Sequence, residues 1–285
     1  MSAGSDALRA LLHGDRLVHL PGAHDAVSAR LAAASGAPGL HLSGAAVSAI
    51  ELGRPDLGFV HGTDIARRGA VLASASGLPV LADADTGYGN ALQARHTTSA
   101  YAAAGIAGLH LEDQVAPKRC GHLTGKAVVD LAEAAARVQA AVEADTGLVI
   151  VARTDAFSVL GAQAVLERCR AFAAVGADAL FVEGADLATL ELVHGALPDL
   201  PLVHARSEAG GPVEAGPTDA ELHAVGVRAV IHPVSALLAA ARAAADVYAA
   251  IARDGHAGTT SRLDWSDLND LVGLPDLLAL EEKYS

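Results

Sequence analysis

Gly105-Ile-Ala-Gly-Leu-His-Leu-Glu112 reads as a glycine closing a helix, then a short apolar run that ends on a polar residue. The pattern recurs in Gly36-Ala-Pro-Gly-Leu-His-Leu-Ser43, Gly176-Ala-Asp-Ala-Leu-Phe-Val-Glu183 and Gly226-Val-Arg-Ala-Val-Ile-His-Pro233. An Ala-rich stretch precedes each glycine, as expected of a helix that needs a left-handed residue to end, and each apolar run has the length of a buried strand. Four more runs fit the strand reading: Leu17 to Leu20, Val80 to Ala82, Leu148 to Ala152, and Leu202 to Val203. Between them, Asp64 to Ser76, Ala91 to Ala104, Asp130 to Ala144 and Gly161 to Val175 have helical apolar spacing. Near-continuous apolar strands alternating with helices mean a parallel sheet covered on both faces. Eight such units close most naturally into an α/β fold of the (β/α)8 TIM-barrel type, with a doubly wound open sheet as the alternative.

Nothing resembling a low-complexity linker interrupts this order, so residues 1–285 are expected to form one α/β-barrel domain. A helical tail over about 255–285, containing Asp264-Trp265 and Leu271-Val-Gly-Leu-Pro275, follows the eighth unit and is expected to pack on the barrel or on a partner subunit. The composition is that of a globular chain, 52% hydrophobic and 19% charged. A net charge of −13 argues against nucleic-acid or anionic-membrane partners, which would repel it. Two cysteines cannot staple a scaffold, and no uninterrupted apolar run approaches the ~20 residues of a membrane span. The first residues, Met1 to Asp6, have neither a basic patch nor an apolar signal core, so a cytoplasmic location and small-molecule chemistry are the expectation.

In such a barrel the chemistry belongs where strands meet their following loops, and the polar residues collect there. Asp83 and Asp85, two apart on a segment read as extended, can aim both carboxylates at one hard cation; one of them could instead cap the next helix. His110 and Glu112 repeat that spacing on the fourth strand. Glu112 could accept from metal-bound waters, and His110 is equally read as an interior histidine. Arg153 ends the fifth strand with a fork that suits a substrate carboxylate, or pairs with Glu112 or Glu183. Cys120, in Lys118-Arg-Cys-Gly-His122, has electropositive surroundings of the kind that lower a thiol pKa and fit it for acid-base work. Cys169, inside an Ala-rich helix, reads as a small buried apolar group. Gly121 to Lys126 fails as a phosphate loop, being one residue short with Ala127 in place of the hydroxyl.

Several stretches in order, Pro21-Gly22-Ala-His-Asp25-Ala26, His41-Leu-Ser43-Gly44-Ala45, Arg54-Pro-Asp56-Leu-Gly58, Asp83-Ala-Asp85-Thr-Gly87-Tyr-Gly89-Asn90, Leu111-Glu-Asp-Gln114, Lys118-Arg-Cys-Gly-His122 and Ala152-Arg-Thr-Asp-Ala156, resemble the isocitrate lyase/phosphoenolpyruvate mutase superfamily. The likeness runs from about Leu17 to Val247. The tail Asp267-Leu-Asn-Asp-Leu-Val-Gly-Leu274 is similar, more weakly, to the 2-substituted malate lyase and oxaloacetate hydrolase branch.

The resemblance implies Mg, with Mn as a substitute, at Asp83 and Asp85, and Asp56 and Glu112 on its waters. It implies the backbone of Ser43, Gly44 and Ala45 together with Arg153 around the keto-acid carboxylate. Cys120 would sit on a gate as acid/base, Gly121 and His122 would meet the second carboxylate, and Glu183 and Ser207 would lie near the substrate. A last helix exchanged between subunits, in dimers that pair into tetramers, is also implied. The expected reaction is Mg-dependent cleavage of a 2-hydroxy dicarboxylate to an α-keto acid and a second carboxylate. Carboxyphosphonoenolpyruvate mutase chemistry and oxaloacetate hydrolysis are the alternatives.

Two departures bear on the substrate. After the seventh strand the lyases have Asn-x-Thr/Ser-Glu where this chain has Ala205-Arg-Ser-Glu208, and Leu237-Leu238 stand where methylisocitrate lyases carry an arginine. A third carboxylate would lack its anchor, so a smaller or more apolar dicarboxylate is expected.

Overall fold

The computed structural model describes residues 2–121, 123–210 and 216–285. Eight strands follow in order: β1 (Val18–Pro21), β2 (Leu40–Leu42), β3 (Val80–Asp83), β4 (Gly108–Glu112), β5 (Val149–Thr154), β6 (Ala179–Val182), β7 (Leu202–Ala205) and β8 (Val227–His232). All ladders are parallel, in the order β1-β8-β7-β6-β5-β4-β3-β2. A parallel bridge between Gly22 and His41, with the Ala23 N–H on the His41 carbonyl at 3.1 Å, brings β1 against β2 and closes the ring. The result is a (β/α)8 barrel.

Thirteen helices accompany the strands among the described residues: α1 (Ala3–Leu12), α2 (Ala26–Ala34), α3 (Gly44–Val47), α4 (Gly62–Ser76), α5 (Ala91–Ala103), α6 (Leu131–Val142), α7 (Phe157–Leu160), α8 (Ala162–Ala174), α9 (Leu187–Ala196), α10 (Asp219–Ala224), α11 (Ser235–Asp254), α12 (Trp265–Leu271) and α13 (Leu274–Tyr284). Asp130, Asp186 and Thr218 cap α6, α9 and α10 through their side-chain oxygens, satisfying backbone N–H groups that would otherwise have no partner. Gly36, Gly105, Gly176 and Gly226 all have φ between 83° and 93° or, for Gly105, 77°, the left-handed conformation their positions after helices suggested.

The interior of the ring is filled by Leu20, Leu81, Val151, Phe181, Val203 and Ile231. Leu8 and Leu12 of α1 complete that cluster and plug one end of the ring, a helix that the repeat pattern did not contain. Alternate strand residues such as Leu40, Val80, Leu109, Ile150 and Leu180 face the helices and form a second, larger cluster. Burial on both strand faces explains why the strands read as unbroken apolar runs.

The eighth helix behaves differently. α11 follows β8, yet among its residues only Ala250 is buried, and Leu238, Tyr248 and Ile251 are exposed. By length and composition it could cross a membrane. Its apolarity comes mostly from alanine, however, and Arg242 and Asp246 form an ion pair along its middle. Beyond it, α12 reaches α2, where Arg30 Nη1 donates to the Leu271 carbonyl at 3.1 Å, while Trp265, Leu277 and Tyr284 remain exposed.

Candidate active site

At the carboxyl ends of the strands, polar residues surround a cavity of about 60 Å³, enough for a few waters or a small organic acid. Asp83 is the last residue of β3, and its Oδ1 accepts from the Asp85 N–H at 3.0 Å while its Oδ2 accepts from the Gly44 N–H at 3.1 Å. The sequence reading placed both acids on extended backbone; the strand ends at Asp83, and Asp85 takes φ 43° in a turn. The carboxylates still meet, because that turn folds Asp85 back beside Asp83. A Cβ at Gly44 would lie 3.0 Å from Asp83 Oδ2 and 3.4 Å from Asp85 Oδ1, so glycine is what lets the chain approach both.

Lys118 sits in the middle of these acids. Its Nζ is 2.6 Å from Asp56 Oδ1 and 2.8 Å from Asp85 Oδ1, with its side chain only 5% exposed. Burial works against the ammonium, but Asp85, Asp83, Glu112 and Asp56 outweigh it and hold its pKa well above the ordinary value. Asp85 is pushed up to about 7 by burial and the adjoining Asp83, against the pull of Lys118. For Asp83 burial favours the neutral acid, but His110, Lys118 and Arg153 hold its carboxyl well below the usual range.

On β4, His110 and Glu112 point the same way, as period two requires. His110 Nε2 lies 3.0 Å from His41 Nε2, and its Nδ1 is 3.6 Å from Asp83 Oδ1. Burial lowers His110 to about 4 and His41 to about 3, so both rings are neutral near pH 7. Glu112 Oε2 is 3.3 Å from Arg153 Nη2, while its Oε1 is buried with no hydrogen-bond partner among the described residues. Burial, with Asp155 and Asp85 nearby, pushes this carboxyl well up despite Arg153 and Lys118.

Arg153 pairs with both acids that its sequence position suggested, at 3.3 Å to Glu112 and 3.5 Å to Glu183. Its main partner is a third, Asp155, which accepts from Nε at 2.9 Å and Nη2 at 3.2 Å. Asp155 also accepts from Lys126 Nζ at 3.0 Å, and its N–H donates to Asp113, itself held by Arg168 at 2.9 Å. The Phe181 ring lies 5.1 Å below the guanidinium. Sequence reasoning gave no role to Lys126, Asp155 or His41, and took Lys118 only as a charge near Cys120. The one available signal was that Asp155, like Asp85, follows a strand-end polar residue by two positions.

Cys120 and Gly121 line the cavity from a loop joined to the rest by Cys120 N–H to the Asp56 carbonyl at 3.3 Å and by Lys126 Nζ to the Gly121 carbonyl at 2.7 Å. Gly121 packs so closely that a Cβ would lie 2.6 Å from Glu183 Oε1 and 2.9 Å from Arg153 Nη2. Ser43, Ala45, Ser207 and Glu183 reach the cavity; Gly44 spends its N–H on Asp83. His122 lies outside the described residues. Cys169 is buried, its thiol pushed up to about 12 by burial and Asp113. Ala205, Ala209, Ile231, Pro233 and Val234 add an apolar lining, with Ser207 among them. Leu238, at the place where methylisocitrate lyases carry an arginine, is half-exposed on α11 and does not line this cavity.

Two oxygens from separate loops meeting at one cationic atom, with a buried Glu112 oxygen still lacking a partner, suit a hard divalent ion. Among the described residues no three His, Cys, Asp or Glu side chains are placed to ligate one directly. A small ion here would keep most of its waters, as Mg prefers.

The family model described as phosphoenolpyruvate phosphomutase matches residues 8–252. A 2,3-dimethylmalate lyase of Eubacterium barkeri is 35% identical, over 98% of this chain and 97% of the relative. A 2-methylisocitrate lyase of Halalkalibacterium halodurans is 35% identical, over 99% and 93%. A solved oxaloacetate acetylhydrolase in complex with 3,3-difluorooxalacetate superposes with TM-score 0.91 at 34% identity, covering 99% of this chain and 97% of that one.

Proposed function

The chain belongs to the phosphoenolpyruvate mutase/isocitrate lyase superfamily, and on that premise we propose that it is a Mg-dependent carbon-carbon lyase. Its substrate is a 2-hydroxy dicarboxylate with a small alkyl substituent, split between C2 and C3 into an α-keto acid and a second carboxylate. The observation that carries this reading is one cavity lined both by Asp56, Asp83, Lys118, His110 and Arg153 and by the apolar Ala205, Ala209, Ile231, Pro233 and Val234, with Ser207 among the latter.

Asp83 and Asp85 would hold the ion, with Asp56 and Glu112 on its waters. When bound, Mg supplies positive charge against the oxygens of the departing keto acid. Arg153, locked by Asp155, offers its remaining N–H groups to a substrate carboxylate. As the hydroxyl proton passes to a carboxylate of the site, the C2–C3 bonding pair moves onto C3. That carbon then takes a proton from the Cys120 thiol at the cavity rim. Neutral His41 and His110 orient and do not add charge. Among the described residues of this apolar lining, Ser207 included, none carries a positive charge, so a third carboxylate there would be buried without a counter-ion.

The small cavity and the likeness to oxaloacetate acetylhydrolase favour hydrolysis of oxaloacetate as the second reading. The test is keto-acid release from a panel of 2-substituted malates, methylisocitrate and oxaloacetate, with and without a chelator. Small alkyl malates are expected to turn over, to stop with chelator, and to lose about 10²–10⁴-fold in Cys120→Ala. Release of oxalate from oxaloacetate alone would establish the second reading. Rearrangement of phosphonates seen by phosphorus NMR, without malate cleavage, would overturn both. The exposed apolar residues of α11 to α13 support an assembly in which this limb docks on a second copy.

A further inference from the structure

We propose that Lys118 is a built-in competitor of the metal: its ammonium occupies the point where Asp56 and Asp85 converge, and a divalent ion enters by displacing it, loosening the segment that carries Cys120. The inference rests on the reading of these carboxylates as the metal site. It is carried by the two short contacts, 2.6 Å to Asp56 Oδ1 and 2.8 Å to Asp85 Oδ1, made by a side chain that is 5% exposed. Two acids and one buried cation form a closed arrangement, and an ion held by Asp83 and Asp85, with Asp56 on one of its waters, would need the Asp85 oxygen and the space beside Asp56 that the ammonium fills. Either cation neutralises the acids; both cannot be present at that point.

The consequence for the loop follows from the chain. Lys118 lies two residues before Cys120, and the Cys120 N–H is held by the carbonyl of Asp56, one of the two acids that Lys118 grips. Between them, Gln114 brackets Arg119, accepting from its N–H at 3.0 Å and donating to its carbonyl at 2.9 Å. Withdrawing the ammonium removes the one ionic anchor described at this end of the loop and leaves the hydrogen bonds of Gln114 and of the Asp56 carbonyl, while Lys126, on Asp155 and the Gly121 carbonyl, keeps the other end in place. Metal loading therefore precedes substrate enclosure: an enzyme without its ion keeps Lys118 in the site and Cys120 pinned.

The test is isothermal calorimetry of Mg binding to the metal-stripped full chain, wild type against Lys118→Met and Lys118→Ala, each checked for folding by circular dichroism. Removing the competitor is expected to tighten Mg binding by about tenfold or more in both variants. A second readout uses an amine-acylating reagent with peptide mapping: Mg alone should raise labelling of wild-type Lys118 several-fold, because a displaced ammonium is exposed. Mg binding of unchanged or weaker affinity in both folded variants, or labelling that Mg does not alter, overturns the inference while leaving the metal site intact. Failure of wild type and both variants alike to bind Mg overturns the metal reading itself, and the inference with it.

Discussion

Asp155 shows how much a single residue can determine. It is fully buried, grips Arg153 through two hydrogen bonds, receives Lys126, and has its own N–H anchored on Asp113. Burial opposes its charge, yet Arg153 and Lys126 hold its pKa below the ordinary value. Asp155→Asn leaves two buried cations underneutralised, so it is expected to cost about 3–5 kcal/mol in denaturant unfolding and to raise KM as Arg153 loses its fixed fork. Histidines give a second expectation. Burial, with Arg206 nearby, lowers His204 to about 4, and burial with His110 lowers His41 to about 3. A depressed pKa means that the unfolded chain takes up protons first, so this stability is present above about pH 6.5 and is lost as pH falls towards 4. Melting temperature should fall over that window, and His204→Gln should flatten part of the decline.

At the scale of elements, the glycine that ends each helix does the same work four times, but its surroundings differ. Gly226, at φ +86°, is packed on the His194 ring so tightly that a Cβ would lie 2.4 Å from Nδ1, whereas at Gly36 and Gly105 nothing lies within 4 Å. Gly226→Ala is therefore expected to cost more than Gly105→Ala, by about 1–3 kcal/mol in denaturant unfolding, because it adds a clash to the shared backbone strain. Strand ends were readable for a related reason: a polar residue that closes an apolar run has to leave the packed wall, and Asp83, Glu112 and Arg153 do so on one rim. The geometry beyond the strand was not readable. Asp85 reaches Asp83 by a left-handed turn and not by alternation along a strand, which leaves no periodic trace.

For the whole molecule, the eighth helix is the piece of the barrel that does not pack on its own ring, with Ala250 its one buried residue. Outside β1, β7 and β8, alternate residues His19, His204 and His232 stay partly exposed, with His19 bridging His232 at 2.9 Å and Asp219 at 3.0 Å. The long helix leaves Leu238, Tyr248 and Ile251 in water, and a second copy covering them would remove that apolar surface from solvent. Sedimentation is expected to show a dimer or a larger assembly. Ile251→Asp, placing a charge among the exposed apolar residues of α11, is expected to shift it towards monomer without unfolding the barrel.

Local order along the chain was sufficient to decide the eight-fold alternation, the single barrel and the rim on which chemistry gathers, because buried parallel strands and helix-ending glycines each leave a pattern within about ten residues. That Asp83, Glu112 and Arg153 come to one rim was legible for the same reason. Which charge meets which was not. Lys118 on Asp56 and Asp85, Lys126 on Asp155, and His41 on His110 join residues between 29 and 69 positions apart. Their pairing depends on where the closed ring places each loop, and so does the exposed position of α11. Only the folded chain decides these, since the electrostatic energy of a buried pair depends on distance in space and on the water excluded around it.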